Sequence, residues 1–181
     1  MRVRGVWIVF FLCLLIQGCG PSQKEVEEAV EAVAQGLEAI SIEPQDIIDG
    51  VDGNTSTFAI ESEEEDILIT CDITLVNPRY MRMNTFWTFD DFLAAGSTYA
   101  VSGSVALHIN GNVDMSSYAG KGTFDLGFRG GPVERLYMVY KETNAMGSIM
   151  EFKANDKEVR YLDLGPIGRR MEKAFQRVMV E

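Results

Sequence analysis

The feature that most constrains the fold is a strict alternation of side chains between Tyr99 and Met115. Apolar or small residues occupy every second position: Val101, Gly103, Val105, Leu107, Ile109, Gly111, Val113 and Met115. The positions between them are polar or small: Ser102, Ser104, Ala106, His108, Asn110, Asn112 and Asp114. A period of two places successive side chains on opposite faces of a β-strand. A strand that is apolar on one face and polar on the other is typical of an antiparallel sheet, and its glycines indicate bending.

The same alternation recurs on both sides of this strand. It predicts further strands over Ser56–Ser62, Asp66–Val76, Gly122–Arg129, Val133–Lys141, Gly147–Ala154 and Lys157–Leu164. Turns are predicted between them at Asp49–Asn54, Ser116–Lys121, Gly130–Pro132 and Asn155-Asp156. The acidic segment Glu61–Asp66 is predicted as a hairpin tip that stays in water and opposes edge-to-edge association. Strands joined by such short turns pair with their chain neighbours by default.

A helix is predicted at each end of the sheet segment. The first covers about residues 22–41, because Ser22 and Glu25 form a capping box and an apolar stripe follows at Val26, Val30, Val33, Leu37 and Ile40. We expect it to pack on its own domain; the alternative is a partner-binding coiled coil.

The second helix covers about residues 166–180 and begins at Pro166. Its apolar stripe is Ile167, Met171, Ala174, Phe175 and Val178, and its other side is basic at Arg169, Arg170, Lys173 and Arg177. Because the first helix is acidic, we expect the two helices to lie side by side; the alternative for the basic helix is binding to a membrane surface.

Together these elements predict an α+β fold. Its sheet is an antiparallel meander of about seven or eight strands over about residues 55–164, curved or closed halfway to a barrel, with the N-terminal and C-terminal helices packed on one face. Residues 19–181 have the length of a single globular domain.

The least regular segment is Asn77–Gly96, which is rich in aromatic residues and methionine. Thr88–Gly96 is predicted as a short helix, capped by Thr88 and ended by glycine. Phe86, Trp87 and Phe92 are the candidate residues for lining an apolar ligand cavity. Core packing is the favoured interpretation of this segment, and contact with the bilayer interface is a further alternative.

The chain begins with two arginines and an unbroken apolar run. Arg2 and Arg4 precede the apolar run Val6–Ile16, which is followed by the polar Gln17 and the small Gly18. This is the layout of a secretory signal peptide. The apolar run is too short to cross a hydrocarbon core of ~30 Å, which takes roughly 20 residues of helix.

The segment Ile16-Gln17-Gly18-Cys19 resembles the lipobox of bacterial lipoproteins, in which an aliphatic residue and a small residue precede an obligatory cysteine. The resemblance implies that signal peptidase II removes residues 1–18 by cutting between Gly18 and Cys19. It also implies that Cys19 carries the lipid that anchors the protein to the membrane. Gly20 takes the position at which an aspartate favours the inner membrane, so the outer membrane is favoured; the periplasmic and outer sides both remain open.

The net charge and the cysteine content limit the classes of partner and chemistry that this chain supports. The formal charge is −11, and loss of Arg2 and Arg4 with the leader makes it −13. Such an acidic domain argues against binding to nucleic acid. Once Cys13 has left with the leader and Cys19 carries lipid, Cys71 is the remaining cysteine. Its place on the apolar face of a predicted strand indicates a buried small hydrophobe rather than a reactive thiol.

The sequence contains no catalytic, cofactor-binding or metal-binding motif that stands in a suitable context. The single histidine, His108, is predicted on a polar strand face without a nucleophile elbow elsewhere in the chain. We therefore expect a non-enzymatic envelope lipoprotein without a cofactor or metal, serving as a structural or interaction module with an unidentified envelope partner. The alternative is a binding protein that holds an apolar ligand or lipid between the sheet and the helices.

Overall fold

The computed structural model of the protein describes residues 20–40, 49–114, 116–144, 146–159 and 165–180. The elements are α1 Gln23–Glu38, β1 Val51–Asp52, β2 Thr55–Glu61, β3 Ile67–Asn77, β4 Tyr80–Leu93, β5 Ala100–Asn112, β6 Tyr118–Arg129, β7 Arg135–Thr143, β8 Met146–Ala154, β9 Lys157–Glu158 and α2 Gly165–Val180. The predicted leader, its cleavage site at Gly18 and Cys19, and the predicted strand residues 160–164 lie outside the described residues.

The nine strands form one antiparallel sheet in chain order, β1 to β9. Every pair of chain neighbours is paired antiparallel, which confirms the predicted meander, and the described strands do not close into a barrel. The number of long strands, seven in β2–β8, agrees with the expected seven or eight, but their identity differs in two places. β4 was not predicted as a strand, and the predicted strand Lys157–Leu164 is described as a strand over Lys157–Glu158 only. Two strands of two residues each, β1 and β9, flank the long strands at the edges. β1 lies within the predicted turn Asp49–Asn54 because Val51 pairs with Ser56.

The alternation in β5 is confirmed. Val101, Val105, Leu107, Ile109 and Gly111 are buried, and this side of the sheet is called the inner face below. The strand ends at Asn112 rather than Met115, because the backbone N–H groups of Asn112 and Val113 donate to Ser117 and Arg79 in neighbouring turns. Met115 itself lies outside the described residues. The predicted turn Ser116–Lys121 is correspondingly shorter, since β6 begins at Tyr118.

The predicted helix Thr88–Gly96 is wrong, because most of this segment belongs to β4, the longest strand. β4 pairs on both sides, with β3 and with β5, so its backbone hydrogen bonds are made to neighbouring strands. Met81, Met83, Thr85, Trp87 and Phe89 alternate onto the inner face. A bulge between Phe89 and Phe92 then inserts an extra residue, and Asp91 takes a φ of 62° there. The bulge turns Phe92 to the same side as Phe89 and removes the period of two that marks a strand.

Helix α1 begins with the predicted capping box. The Glu25 backbone N–H donates to the Ser22 hydroxyl at 3.4 Å, and the Ser22 backbone N–H donates to the Glu25 carboxylate at 2.6 Å. The apolar stripe is buried, as predicted. Gly36 lies against the sheet, where a Cβ atom would come within 2.5 Å of Cε1 of Phe89 and 3.0 Å of Cε1 of Phe92. A glycine at this position therefore lets α1 approach β4 closely.

Helix α2 begins at Gly165, one residue before the predicted start. Its side chains Ile167, Met171 and Ala174 are buried, while the side chains of Phe175 and Val178 lie outside the description. Buried residues of α1, the strands and α2 belong to one continuous apolar cluster. The cluster includes the large, fully buried side chains Trp87, Tyr99, Phe124, Leu126 and Leu136.

Candidate functional site

The three candidate ligand-lining residues do not line a common surface. Trp87 is fully buried on the inner face, whereas its neighbour Phe86 points to the outer face of the sheet and is 38% exposed. Phe92 is half-buried beside Gly36 of α1. Because adjacent residues of a strand point to opposite faces, Phe86 and Trp87 are separated by the thickness of the sheet.

His108 belongs to a small cluster on the outer face. Its Nδ1 lies 2.8 Å from Oδ1 of Asn84, its partner across the β4–β5 pair. Because an amide oxygen can only accept, the imidazole donates from Nδ1 in the tautomer that makes this hydrogen bond. The edge of the Phe86 ring meets the imidazole at 82°, with 5.8 Å between ring centroids. The arrangement orients the imidazole against an amide and a hydrocarbon ring, neither of which is a nucleophile.

Cys71 is a buried thiol, as predicted. It is 1% exposed on the inner face, and its Sγ lies 3.3 Å from the Thr85 hydroxyl, which is also buried. Burial raises the pKa of the thiol above its usual value, and the hydroxyl contact only partly opposes this. Because the thiolate is the reactive form, Cys71 is held in its unreactive state.

The charged helices meet through Arg170, as their opposite charges predict. Its guanidinium donates from Nε and Nη2 to the carboxylate of Glu31 at 2.6 and 3.0 Å. It also donates from Nη1 and Nη2 to the carboxylate of Glu38 at 2.7 and 3.2 Å. These bonds raise the pKa of Arg170 and lower that of Glu31. All three guanidinium nitrogens donate to the two carboxylates of α1, which fixes α2 in register against α1.

The described surface includes two shallow clefts among others. One, of about 290 Å³, lies between α1 and the β4–β5 loop and has Glu28, Glu31, Gln35 and Ser97 among its walls. The other, of about 280 Å³, lies between β8 and β9 beside Met150, Glu151 and Lys153. Charged and polar groups contribute much of both walls, which does not suit a wholly apolar ligand.

Within the described ranges, no group of three or more His, Cys, Asp and Glu side chains is placed to hold a metal ion. None of the helices that the structure describes is both long enough and apolar enough to cross a membrane.

The turns of the meander divide between two ends of the sheet. The acidic turn Ser62–Asp66 and the β4–β5 loop lie at one end, called the acidic rim, where the Asp90 backbone N–H donates to the carbonyl of Asp66. This rim also adjoins the start of α1, since the Tyr99 hydroxyl donates to the carbonyl of Glu25 at 3.4 Å. The β3–β4 and β5–β6 turns lie at the opposite end.

The opposite end exposes a cluster of apolar side chains that sequence reasoning missed. Leu75, Val76, Tyr80 and Val113 are 39%, 50%, 36% and 45% exposed, and we call these four residues the apolar tip. They lie on adjacent hairpins, because the Val113 backbone N–H donates to the carbonyl of Arg79 at 3.1 Å. Leu75 pairs with the buried Met81 and Tyr80 points to the opposite face, so the tip exposes apolar side chains on both faces of this end of the sheet. Several exposed apolar side chains at one end are a better sign of an interaction surface than single ones, which are common.

Comparison with protein families, curated protein sequences and solved structures finds no match to this chain.

Proposed function

We propose that this protein is a lipid-anchored component of a bacterial cell envelope and acts as a non-enzymatic interaction module. In this proposal, cleavage between Gly18 and Cys19 releases the leader, and acyl chains on Cys19 hold the domain at the membrane. The support is the lipobox resemblance at residues 16–19. Two or more acyl chains give stable anchoring, whereas one chain gives only marginal binding.

The observation that carries the interaction role is a contrast between the two kinds of apolar surface. The inner face is occupied by large side chains such as Trp87, Tyr99 and Phe124, which are at most 1% exposed. Large apolar side chains are exposed instead at the apolar tip and at other surface positions such as Phe86 on the outer face. Large buried side chains on the inner face, combined with exposed apolar side chains elsewhere, favour binding to another surface over holding a ligand inside.

We also propose that α1 and α2 pack together as a layer over the inner face of a curved sheet. Three observations support this arrangement. They are the close approach of Gly36 to Phe89, the hydrogen bond from the Tyr99 hydroxyl to the Glu25 carbonyl, and the bonds that Arg170 makes between the helices. The layer leaves the outer face of the sheet, the acidic rim and the apolar tip available to partners.

For localisation, we propose the outer membrane, with an envelope protein or the membrane itself as partner. Gly20 supports this, since aspartate at that position favours the inner membrane in the lipoproteins that the leader resembles. The segment between Cys19 and the first residue of α1 is short, so the domain would sit close to the bilayer.

The lipidation proposal is tested by metabolic labelling with radioactive palmitate in a bacterial host. Wild type should be labelled and processed, whereas Cys19→Ala should be unlabelled and keep its leader. Cys71→Ala is the matched control, because it removes a buried cysteine and should leave labelling unchanged. Equal labelling of wild type and Cys19→Ala would refute the proposal.

The interaction role is tested against the ligand-binding alternative by native mass spectrometry of the domain from Gly20 onward, purified without detergent. We expect the measured mass to equal that of the polypeptide without a bound ligand. A reproducible extra mass that organic solvent removes would refute a purely interacting module and identify a carried apolar ligand.

A further inference from the structure

The apolar tip and the start of α1 lie toward opposite ends of β5. Glu25 contacts Tyr99, which directly precedes β5, and Tyr80 of the tip pairs with Asn112, the last residue of β5. β5 runs from Ala100 to Asn112, so at ~3.3 Å per residue it is roughly 40 Å long.

The chain segment between Cys19 and Glu25 is shorter than β5. Four extended residues at ~3.5 Å each and about 5 Å across two helical steps keep Cys19 within about 20 Å of Glu25. The chain therefore joins the lipid-bearing residue to the acidic-rim end of the sheet, and even with the Tyr99 side chain its reach is less than the length of β5.

Charge is distributed unevenly between the same two ends. The acidic rim carries Glu63, Glu64 and Glu65 in one turn, all exposed. The apolar tip is accompanied by the exposed Arg79 in the β3–β4 turn and Arg82 in β4, and by the exposed Asp52 and Asp114 beside the two neighbouring turns. An anionic bilayer repels the first end and attracts the arginines of the second, within a Debye length of ~10 Å at 0.1 M salt.

The side chains of the tip suit a bilayer interface. Tyr80 combines an aromatic ring with a hydroxyl, the combination that is enriched at the level of the lipid headgroups. Leu75, Val76 and Val113 add aliphatic surface beside it, and the two arginines match anionic headgroups. Apolar and aromatic residues next to basic ones form the composition of surfaces that bind in the interfacial region.

We propose that the apolar tip is a second membrane contact, which binds anionic lipid in the same bilayer that holds the lipid on Cys19. The inference rests on the lipidation proposed above. The anchor keeps the tip within tens of ångströms of the bilayer, and this high effective concentration lets a weak contact form. With one contact at each end, the strands lie along the membrane plane and the acidic rim is held near the bilayer by the acyl chains alone.

The test uses the lipidated mature protein in vesicles, with an environment-sensitive fluorophore on a cysteine introduced at Val76. Thr70→Cys is the matched control, because Thr70 is exposed on the same strand and lies away from the tip. Cys71 is buried and should not take the label. The vesicles contain either phosphatidylcholine alone or phosphatidylcholine with phosphatidylglycerol, and flotation reports attachment independently of the fluorophore.

We expect both labelled proteins to float, and the emission of the Val76 label alone to shift to shorter wavelength in anionic vesicles. The shift should be lost in high salt and in the double variant Arg79→Glu, Arg82→Glu, which should still float. If the protein floats but the emission of the label at position 76 shows the same exposure to water as the label at position 70, the second contact is refuted and the anchor stands. If lipidated protein does not float, the anchor is refuted and the second contact falls with it.

Discussion

Replacing Arg170 by alanine tests whether the contact between α1 and α2 holds the fold together. The substitution removes four charged hydrogen bonds from one guanidinium, two to Glu31 and two to Glu38. It also leaves the two carboxylates of α1 facing each other without the cation between them. We expect the free energy of unfolding to fall.

The exposure of each partner sets the size of this loss. The Glu38 side chain is 14% exposed, and hydrogen bonds to such a charged group contribute about 1.5–3 kcal/mol. The Glu31 side chain is 46% exposed, so solvent screening reduces its pair to about 0.5–1 kcal/mol. Together they predict a loss of about 2–4 kcal/mol, and each kcal/mol lowers Tm by roughly 2–4 °C in a protein of this size.

The effect depends on pH in a defined direction. The hydrogen bonds from Arg170 are the main cause that lowers the pKa of Glu31 below its usual value of 4.5. A carboxyl group with a lowered folded-state pKa contributes its stability above the unfolded-state pKa and loses it as pH falls through the folded-state value. The difference between wild type and Arg170→Ala should therefore be full near neutral pH and shrink below pH 4.5.

Urea unfolding followed by tryptophan fluorescence measures the loss. Trp87 is the only tryptophan beyond the leader and is fully buried, so its emission reports unfolding of the core. Arg169→Ala is the matched control, because Arg169 is exposed on the same helix and should change stability by less than ~0.5 kcal/mol. If Arg170→Ala costs no more than Arg169→Ala at neutral pH, the two helices are not joined as described.

One further substitution and one chemical reaction test the description of the sheet. Gly103→Ala should destabilise by roughly 2 kcal/mol or more, since Gly103 has a φ of 116° and a Cβ atom would come within 2.4 Å of the Asp125 carbonyl oxygen. Gly127→Ala on the neighbouring strand is the control with ordinary contacts of 3.9 Å, and equal losses of stability would contradict the steric argument. In a chain that begins at Gly20, the Cys71 thiol should react with a thiol reagent only when urea unfolds the sheet; rapid reaction of the native protein would contradict its burial.

Periodicity identified most of the fold because each long element buries one face against a continuous core. The capping box at Ser22 and Glu25 placed the start of α1, and the alternation in β5 and β6 placed the centre of the sheet. The error at Thr88–Gly96 has a local cause. A bulge at Asp91 breaks the period of two, and the threonine and glycine at the two ends of the segment resemble helix caps. Pairing with strands on both sides outweighed these local signals.

The functional surface was less accessible to sequence reasoning than the fold. Phe86 and Trp87 are consecutive in a segment that was not recognised as a strand, so their separation onto opposite faces was not predicted. The apolar tip depends on pairing between hairpins, because Val113 reaches the β3–β4 turn only through its bond to Arg79. In a linear sequence, Leu75 and Val76 are simply the last apolar residues of a strand.

The position of the predicted anchor gives the exposed residues a direction that neither sequence nor fold supplies alone. The capping box fixes where α1 begins, the Tyr99–Glu25 bond fixes that start against the acidic rim, and antiparallel pairing sends the β3–β4 hairpin to the other end. Charge differs along the same axis, with glutamates at one end and, at the other, the arginines Arg79 and Arg82 beside Asp52 and Asp114. Since these features arise from separate parts of the chain, their alignment along the strands is the strongest structural reason to expect that the two ends of the domain meet the bilayer differently.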